Sequence, residues 1–381
     1  MTEPIAVTRE MIEAWADDAS GPVALHLRQK LLPVEGEDGV IFPPTYPDIG
    51  YNIDTLSDGT KVATIDSVGS QANRIEPLFK RPELAPLVPQ ITIRFGNEKS
   101  VSLLDIGHRL ADAAVRNSTL ADEVRSAFEA LQLRGDAEPI ARLAPTSLVF
   151  GVWDSRGGGS KVPRLINSVI RAWQVEELTR SAVYIPPVDY AALEVFSEED
   201  RETAEGNTES PLAKNPLAQK GFVHFPEKRA PGGILARGGI FRDVTVNLVA
   251  LRRLNEGLPN GPTLRRYVLG LTLVAAVTPQ DGFLRQGCLL APDPAAPAAW
   301  VSVGRDGART PVALPEQLVL AFAESAAKGF GVAPPRTVEF SSDRARRDVA
   351  DQKAGTTTGR GGRKGASRKS AASEGDDGDE G

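Results

Sequence analysis

The chain has 381 residues, of which 41% are hydrophobic, and it carries a formal net charge of −6. This size and hydrophobic content are enough to bury a sizeable core, in one large domain or two closely joined ones. The acidic balance excludes a uniformly basic surface. It does not exclude a nucleic-acid binder, because phosphate contacts need only a local basic stripe.

The cysteine and histidine content argues against disulfides and metal sites. The single cysteine, Cys288, excludes an intrachain disulfide framework and a thiolate cluster. The three histidines, His26, His108 and His224, lie far apart with no metal-ligand spacing, so we expect no metal and no other cofactor. The N-terminus lacks the pattern of a signal peptide, and the longest apolar stretch is about half of the ~20 residues that span a membrane. We therefore expect a cytoplasmic protein that contacts no membrane.

Apolar residues alternate or recur at helical spacing through most of the chain, so its elements can be predicted in order. The predicted elements are strands at 23–27, 61–66 and 90–95, helices at 103–115 and 120–131, a strand at 146–153, and helices at 163–178 and 316–328. The runs 240–254 and 264–277 are mostly apolar and fit either a strand or a helix. Strands mixed with helices, without regular βαβ spacing, predict an α+β fold.

Two segments differ in composition from the rest of the chain. Residues 197–220 are polar with no sustained period, which predicts a long, flexible surface loop. Residues 342–381 are first basic and then acidic, with few large apolar residues, which predicts a disordered tail after a domain formed by residues 1–341. Such a tail either solubilises the protein or acts as a basic arm with non-specific affinity for nucleic acid.

The first candidate site is DSVGSQANRIE, residues 66–76, where a predicted strand leads into a helix. Free backbone N–H groups at such a junction suit a phosphate. Arg74 adds a charge-assisted contact, and Gln71 and Asn73 can bond a sugar or base edge beside Ser67. The alternative is an ordinary N-cap followed by a polar helix face.

The second candidate, which we call the glycine loop, is FGVWDSRGGGSKVPR, residues 150–164. Its three glycines let the backbone approach a polyanion, and Arg156, Lys161 and Arg164 would neutralise phosphates. The spacing is not that of a P-loop. The alternative is a flexible loop without a ligand.

The third candidate lies in residues 221–253, where two apolar runs flank EKRAPGG and predict a hairpin at 221–240 with a basic tip. Lys228, Arg229, Arg237 and Arg242 interleave with phenylalanines, a combination that binds single-stranded nucleic acid. The alternative is an ordinary hairpin whose aromatic residues belong to the core. Further on, LRQGCLL, residues 284–290, holds Cys288, which we interpret as a buried structural residue.

Catalytic motifs are missing from the sequence, which has neither a nucleophile elbow nor a dinucleotide fingerprint. Asp54, Asp66 and Asp154 are the carboxylates beside predicted strand ends, and their spacing does not require a shared metal. We therefore expect no enzymatic activity.

Four motifs occur in an order that resembles one family. They are IDSVGSQANRIE, LVFGVWDSRGGGSKVPR, GFVHFP…GGILARGGIFRDVTVNLVALRRL and LRQGCLL. In this order the chain resembles the type I-U (also called I-G) backbone subunit of CRISPR surveillance complexes, a member of the RAMP (repeat-associated mysterious protein) superfamily. The resemblance runs from about Val23 to Leu290.

This resemblance implies a modified RRM-like (ferredoxin-like) palm with inserted finger elements and a protruding thumb hairpin, which we assign to residues 221–240. It implies that copies of the subunit line up along a guide RNA (crRNA) and present it for pairing with the target DNA strand. The other subunits of the surveillance (Cascade) complex are further partners, and the backbone subunit does not cut. The alternatives are a metal-dependent ribonuclease of the same fold and a scaffold subunit that contacts only protein.

Overall fold

The computed structural model describes residues 3–96, 99–155, 158–206 and 216–359. The strands are β1 (Ile5–Ala6), β2 (Ala24–Pro33), β3 (Thr45–Tyr46), β4 (Gly50–Tyr51), β5 (Ile53–Thr55), β6 (Lys61–Asp66), β7 (Ile91–Phe95), β8 (Lys99–Ser102), β9 (Val152–Trp153), β10 (Lys161–Val162), β11 (Ile166–Trp173), β12 (Val175–Tyr184), β13 (Phe225–Ala236), β14 (Ile240–Asn247), β15 (Phe283–Arg285), β16 (Cys288–Pro292), β17 (Ala299–Val303), β18 (Arg309–Ala313) and β19 (Arg336–Glu339).

The α-helices are α1 (Arg9–Asp17), α2 (Val68–Ile75), α3 (Ala113–Arg116), α4 (Ala121–Arg134), α5 (Glu138–Leu143), α6 (Thr146–Phe150), α7 (Glu198–Gly206), α8 (Pro216–Gln219), α9 (Leu248–Arg252), α10 (Gly261–Val277), α11 (Glu316–Phe330) and α12 (Ser342–Gly359). Short 3₁₀ helices are at Glu76–Lys80, Ala85–Leu87, Leu103–Asp105 and Arg109–Ala111. Over the described ranges, no helix combines the length and apolar character that crossing a membrane requires.

A large mixed sheet forms the centre of the molecule, with strand order β1-β18-β17-β2-β14-β11-β6-β5 and with β16 also paired to β2. Its four middle strands, β17, β2, β14 and β11, are antiparallel to their neighbours. In the chain these strands follow the order strand, helices, two strands, helix, strand, which is the ferredoxin-like order. The α+β fold and the RRM-like palm are therefore confirmed.

Helix α10 lies in the core between the sheet and α11, which explains why its sequence is apolar on almost every side. The ring of Tyr267 stacks on Phe330 of α11 with 4.4 Å between centroids. Gly270 allows the two helices to approach closely, since a Cβ there would lie 3.0 Å from the Cα of Ala323. Burial on both sides removes the periodicity that distinguishes a helix from a strand, so residues 264–277 were ambiguous in sequence.

Several predicted elements are confirmed and others are wrong. The strands at 61–66 and 90–95 and the helices at 120–131 and 316–328 are found as β6, β7, α4 and α11. The predicted helix at 163–178 is wrong, because these residues form β11 and the start of β12. Residues 168–170 of β11 are buried on both faces, so the strict alternation of a half-exposed strand is lost. The predicted strand at 146–153 is mostly α6, and residues 103–115 form short 3₁₀ turns and α3 instead of one helix.

The predicted thumb hairpin at 221–240 also differs. Strand β13 pairs with β12 from Val175↔Ala236 to Tyr184↔Phe225, so EKRAPGG lies inside a strand and not at a turn. The register shifts where Thr179 pairs with Pro231. A Cβ on the neighbouring Gly232 would lie 2.6 Å from the carbonyl carbon of Thr179. The proline and glycine therefore produce a bulge inside a long hairpin. The sequence pattern had predicted the turn of the hairpin at this place.

The predicted loop at 197–220 contains helices α7 and α8, and residues 207–215 lie outside the described residues. Ser197 and Asp200 bond reciprocally at the start of α7: the backbone N–H of Asp200 donates to Ser197 Oγ (3.1 Å), and that of Ser197 donates to Asp200 Oδ2 (3.3 Å). This is a capping-box arrangement, which starts a helix without an amphipathic period. A small cluster that includes Ala204, Ala218 and Val223 packs the segment together.

The predicted disordered tail differs in its first half, since Ser342–Gly359 form α12, while residues 360–381 lie outside the described residues. Ion pairs fasten the first turns of α12 to the domain: Arg344 Nη2 lies 2.7 Å from Asp122 Oδ2, and Asp348 Oδ2 lies 3.3 Å from Arg116 Nη2. The composition predicted disorder because this segment has few large apolar residues to bury. The contacts that fasten α12 are instead between charged side chains, which a count of apolar residues does not reveal.

Candidate nucleic-acid interface

Helix α2 begins directly after β6, as the first motif predicts. Ser67 is its N-cap, and the backbone N–H of Ser70 donates to Ser67 Oγ at 3.2 Å. The structure thus gives Ser67 the capping role that was the alternative to phosphate binding. Asn73 is exposed on the same helix.

Replacing Ser67 with alanine is expected to lower the free energy of unfolding by about 1 kcal/mol, because an N–H of the first turn of α2 loses its acceptor. Urea denaturation measures this difference. Ser57→Ala, in the exposed loop between β5 and β6, is the matched control and should stay within about 0.5 kcal/mol of the wild type. Equal stability of the two variants would exclude the capping role.

A buried carboxylate, Asp66, organises the polar side of α2. It accepts hydrogen bonds from Ser70 Oγ (2.7 Å), Gln71 Nε2 (2.7 Å) and Arg74 Nε (3.1 Å). Arg285 Nη2 approaches it at 3.4 Å. Arg74 also donates to the carbonyl of Leu284 at 2.6 Å, and its side chain is 34% exposed. The LRQGC segment is therefore fastened to α2 through Asp66 and two arginines.

Gln71 and Arg242 belong to the interior and not to the surface. Ser168 Oγ donates to Gln71 Oε1 (2.8 Å) and accepts from Arg242 Nε (3.1 Å). Arg242 Nη2 donates to the carbonyl of Ala276 at 3.2 Å, and burial lowers the pKa of this guanidinium to about 10. Their polar atoms are engaged inside the fold, so we leave both residues out of the interface.

The glycine loop is a short hairpin in which β9 and β10 pair through Lys161↔Trp153 and Val162↔Val152. Trp153 is 61% exposed, and Lys161 Nζ lies 5.8 Å from the centroid of its ring. Arg164 is exposed, and its Nε donates to the carbonyl of Phe150 at 3.1 Å. Arg156 lies outside the described residues. The loop thus presents an exposed aromatic ring with Lys161 beside it, together with the exposed Arg164.

Next to this hairpin is a groove of ≈ 840 Å³, which we call the glycine-loop groove. Its wall on one side is Gly107–Ala113 and on the other the hairpin. The side chains that line it include His108, Asp112, Trp153, Lys161, Arg164 and Asn167. Asn73 of α2 lies beside it, since a Cβ on Gly107 would come within 3.3 Å of Asn73 Nδ2. The groove therefore brings together Lys161, Arg164 and Asn73 from two predicted motifs.

A buried ion pair supports both walls of the groove. Arg109 has a left-handed backbone (φ 53°), and its Nε lies 2.7 Å from Glu76 Oε2. Arg109 Nη1 donates to the carbonyls of Gly107 and Gly151, each at 3.3 Å, so one guanidinium joins the two walls. Burial raises the pKa of Glu76 to about 7, against the opposing effect of Arg109, and burial lowers the pKa of Arg109.

Arg237, a candidate on the predicted hairpin, does not join this groove. Arg237 is exposed, pairs with Glu176 and Asp38 at 3.2 Å each, and lines a different groove with Lys30. Lys228 and Arg229 lie in β13, but their side chains are outside the described part of the chain.

Four of the side chains named as lining the groove were not selected from the sequence: His108, Asp112, Trp153 and Asn167. Trp153 carried a signal, as an aromatic residue directly before a glycine run flanked by cations. Asn167 did not, because its segment was predicted to be a helix.

Metal-binding and thiol chemistry find little support in the described ranges. No group of three or more His, Cys, Asp or Glu side chains there could hold a metal ion. Cys288 is buried, which raises the pKa of its thiol to about 11. A thiol with such a pKa is a poor nucleophile at neutral pH.

Comparison with curated proteins found none that matches this chain. Comparison with protein families found one match. The family described as CRISPR-associated protein GSU0053 matches residues 25–177, a range that includes α2 and the whole glycine loop. The third and fourth motifs lie beyond the matched range. The similarity of residues 25–177 to this family supports a role for the protein in a CRISPR system.

Proposed function

We propose that this protein is a guide-RNA-binding backbone subunit of a type I CRISPR interference complex of the I-U/I-G kind. Copies of the subunit assemble along the crRNA in the cytoplasm, together with the other subunits of the complex. They hold the backbone of the RNA and present its bases for pairing with the target DNA strand. The subunit itself binds and does not cut.

The observation that carries this proposal is the glycine-loop groove. Cations that neutralise phosphates, beside an exposed aromatic ring that stacks on bases, are the usual combination in sites for single-stranded nucleic acid. Here Lys161 and Arg164 supply the cations and Trp153 the ring. Asn73 and Asn167 add side-chain amides at the edge, where they can bond the 2′-hydroxyl or a base. The negative net charge of the whole chain is compatible with such a local site.

The test is a fluorescence-anisotropy titration of the full chain against a labelled guide-length RNA at several salt concentrations. The same RNA as a perfect duplex serves as competitor. We expect several proteins per RNA, a preference for the single strand, and an affinity that falls as salt rises. Absence of binding, also in the presence of the partner subunits, would contradict the proposal.

Incubation of the same RNA with the protein and magnesium or manganese separates binding from cleavage. The RNA is expected to stay intact. Cleavage that disappears in Asp54→Asn, Asp66→Asn or Asp154→Asn variants would instead identify a metal-dependent ribonuclease.

A further inference from the structure

The large sheet has a second, half-exposed face. On β14, Ile240, Val244 and Val246 are buried in the core, whereas Phe241 points to the opposite side and is partly exposed. On β2 the buried residues likewise alternate with Arg28, which is exposed. On β11, Trp173 is partly exposed and shares a face with Asn167, because side chains two residues apart point the same way.

At one end of this face lies a pocket of ≈ 470 Å³, lined by Arg28, Trp173, Gln174 and Phe241 and by the β5–β6 loop. The guanidinium of Arg28 lies 4.1 Å from the centroid of the Phe241 ring. The indole N–H of Trp173 has no hydrogen-bond partner in the described part of the protein. A buried donor in this state is uncommon and calls for an acceptor. We call this the sheet pocket.

Two glycines keep the rim of the sheet pocket free of side chains. A Cβ on Gly239 would lie 3.2 Å from Cε2 of Phe241, and Gly239 has a left-handed backbone (φ 85°). A Cβ on Gly238 would lie 3.0 Å from the carbonyl carbon of Trp173. The backbone therefore passes close to both aromatic residues without a side chain that would cover them.

The charged side chains that line the sheet pocket are Arg28 and Asp58 of the β5–β6 loop, and further cations lie next to it on the sheet. Arg171 lies directly opposite Phe241 in the β11–β14 pairing, and Lys30 lies opposite it in the β14–β2 pairing. Lys30 is neutralised by Asp293 and Glu37. Arg28 and Arg171 form no ion pair within the described residues, so two cations are left to meet phosphates.

Strand β11 connects the sheet pocket with the glycine-loop groove. Asn167 lines the groove, Trp173 lines the sheet pocket, and the two are separated by six residues of one strand. At about 3.3 Å per residue this is a distance of about 20 Å. Residues 168–170 between them are buried, so a single strand that leaves the groove would cross this covered stretch of β11 to reach the sheet pocket.

We propose that the sheet pocket is a second binding site, which takes an unpaired nucleobase of the strand held in the glycine-loop groove. The base stacks against Phe241 and Trp173, and the indole N–H donates to an oxygen or nitrogen of the base. Arg28 and Arg171 contact the adjoining phosphates. The inference rests on the proposed function, because the strand is the one bound at the groove.

The variant Phe241→Leu tests the site, since leucine keeps an apolar side chain under Arg28 but has no aromatic face. Affinity is measured by anisotropy for a single-stranded dodecanucleotide, which can reach both sites, and for a dinucleotide, which is too short to do so. Without the stacking contact, binding of the dodecanucleotide is expected to weaken by about 5-fold to 150-fold. Most of the affinity by which the dodecanucleotide exceeds the shorter RNA should be lost. Phe283→Leu, at an exposed phenylalanine outside the pocket, is the matched control and should bind like the wild type.

The results separate the two proposals. If the wild type binds neither RNA, alone or with its partner subunits, the proposed function fails and this inference fails with it. If the wild type binds the dodecanucleotide and Phe241→Leu binds it equally well, only the sheet pocket is overturned.

A photochemical measurement on the unaltered protein covers the case in which Phe241→Leu does not fold. The dodecanucleotide, with 5-bromouracil in place of uracil, is irradiated in complex with the wild type, and the cross-linked peptides are identified by mass spectrometry. Cross-links at Trp173 or Phe241 are expected together with those at Trp153. Cross-links at Trp153 without any at the two pocket residues would overturn the inference.

Discussion

Replacing Arg109 with methionine is expected to lower the free energy of unfolding by about 3–5 kcal/mol at pH 8, because it leaves a buried carboxylate without its cation. The Glu76 carboxyl then has no ion-pair partner, and the carbonyls of Gly107 and Gly151 lose a shared donor. Chemical denaturation of the variant and the wild type measures the difference.

The loss of stability caused by Arg109→Met is expected to depend on pH. Arg109 lowers the pKa of Glu76, so its removal raises that pKa further above the ordinary carboxyl value. When the pKa of a group is higher in the folded than in the unfolded state, the group contributes its full stability at pH values below the unfolded-state pKa. This contribution is lost as the pH rises through the folded-state pKa. Arg109→Met should therefore cost less at about pH 5, where the carboxyl takes up a proton, than at about pH 8.

The double variant Glu76→Gln/Arg109→Met is the control, since it removes both charges together. Replacing a buried ion pair by neutral groups of similar size is often close to neutral, so the double variant should recover much of the stability. An Arg109→Met protein within about 1 kcal/mol of the wild type at both pH values would show that the ion pair does not support the groove.

Changes at the glycine-loop groove are expected to have the largest effect on RNA binding. Trp153→Ala should weaken single-stranded RNA binding by about 1–3 kcal/mol, because one base loses its stacking partner. Trp153 is exposed, so the same change should leave the unfolding transition almost unaltered. Anisotropy titrations at fixed salt measure the affinity, and thermal melting checks the fold.

The cations of the groove are tested by the slope of affinity with salt. Each phosphate contact to a single strand contributes about −0.7 to the slope of log K against log salt concentration. Lys161→Ala/Arg164→Ala should therefore make the slope shallower by about 1.4. Arg253→Ala/Lys328→Ala, a pair of exposed cations outside the groove at the C-cap of α9 and in α11, should retain the wild-type slope. Identical slopes for the two double variants would remove the groove from the proposed interface.

The strand-to-helix junction at β6 and α2 could be predicted from sequence because its signals are local. Lys61–Asp66 is a short run with the β-branched residues Val62, Thr64 and Ile65, and Ser67 is a typical N-cap residue. The glycine loop could be predicted as a site for the same reason, since its glycines, cations and tryptophan are neighbours in the chain. The groove opposite it could not, because the Gly107–Ala113 wall comes from a segment about 40 residues earlier, joined through Arg109.

Residues on the sheet show where local patterns fail. Arg242 and Phe241 are adjacent, yet one is buried under α10 and the other lies on the half-exposed face. Which of the two points inward depends on the strand register, and the register depends on partners far away in sequence. Gln71 was misassigned for a related reason: its polar atoms are satisfied by Asp66 and by Ser168 of β11, and only the folded sheet brings Ser168 close.

The position of β2 at the centre of the sheet has a consequence for synthesis of the protein on the ribosome. β2 is among the first segments to be made, but its partners β14 and β17 follow it by more than 200 residues. At roughly 5–20 residues per second, β2 waits roughly 10–40 s for β14 to emerge. During this time both edges of an apolar strand are unpaired and open to association with other nascent chains. Slower translation before β14 should therefore increase the need for chaperones, whereas a pause after β17 should not.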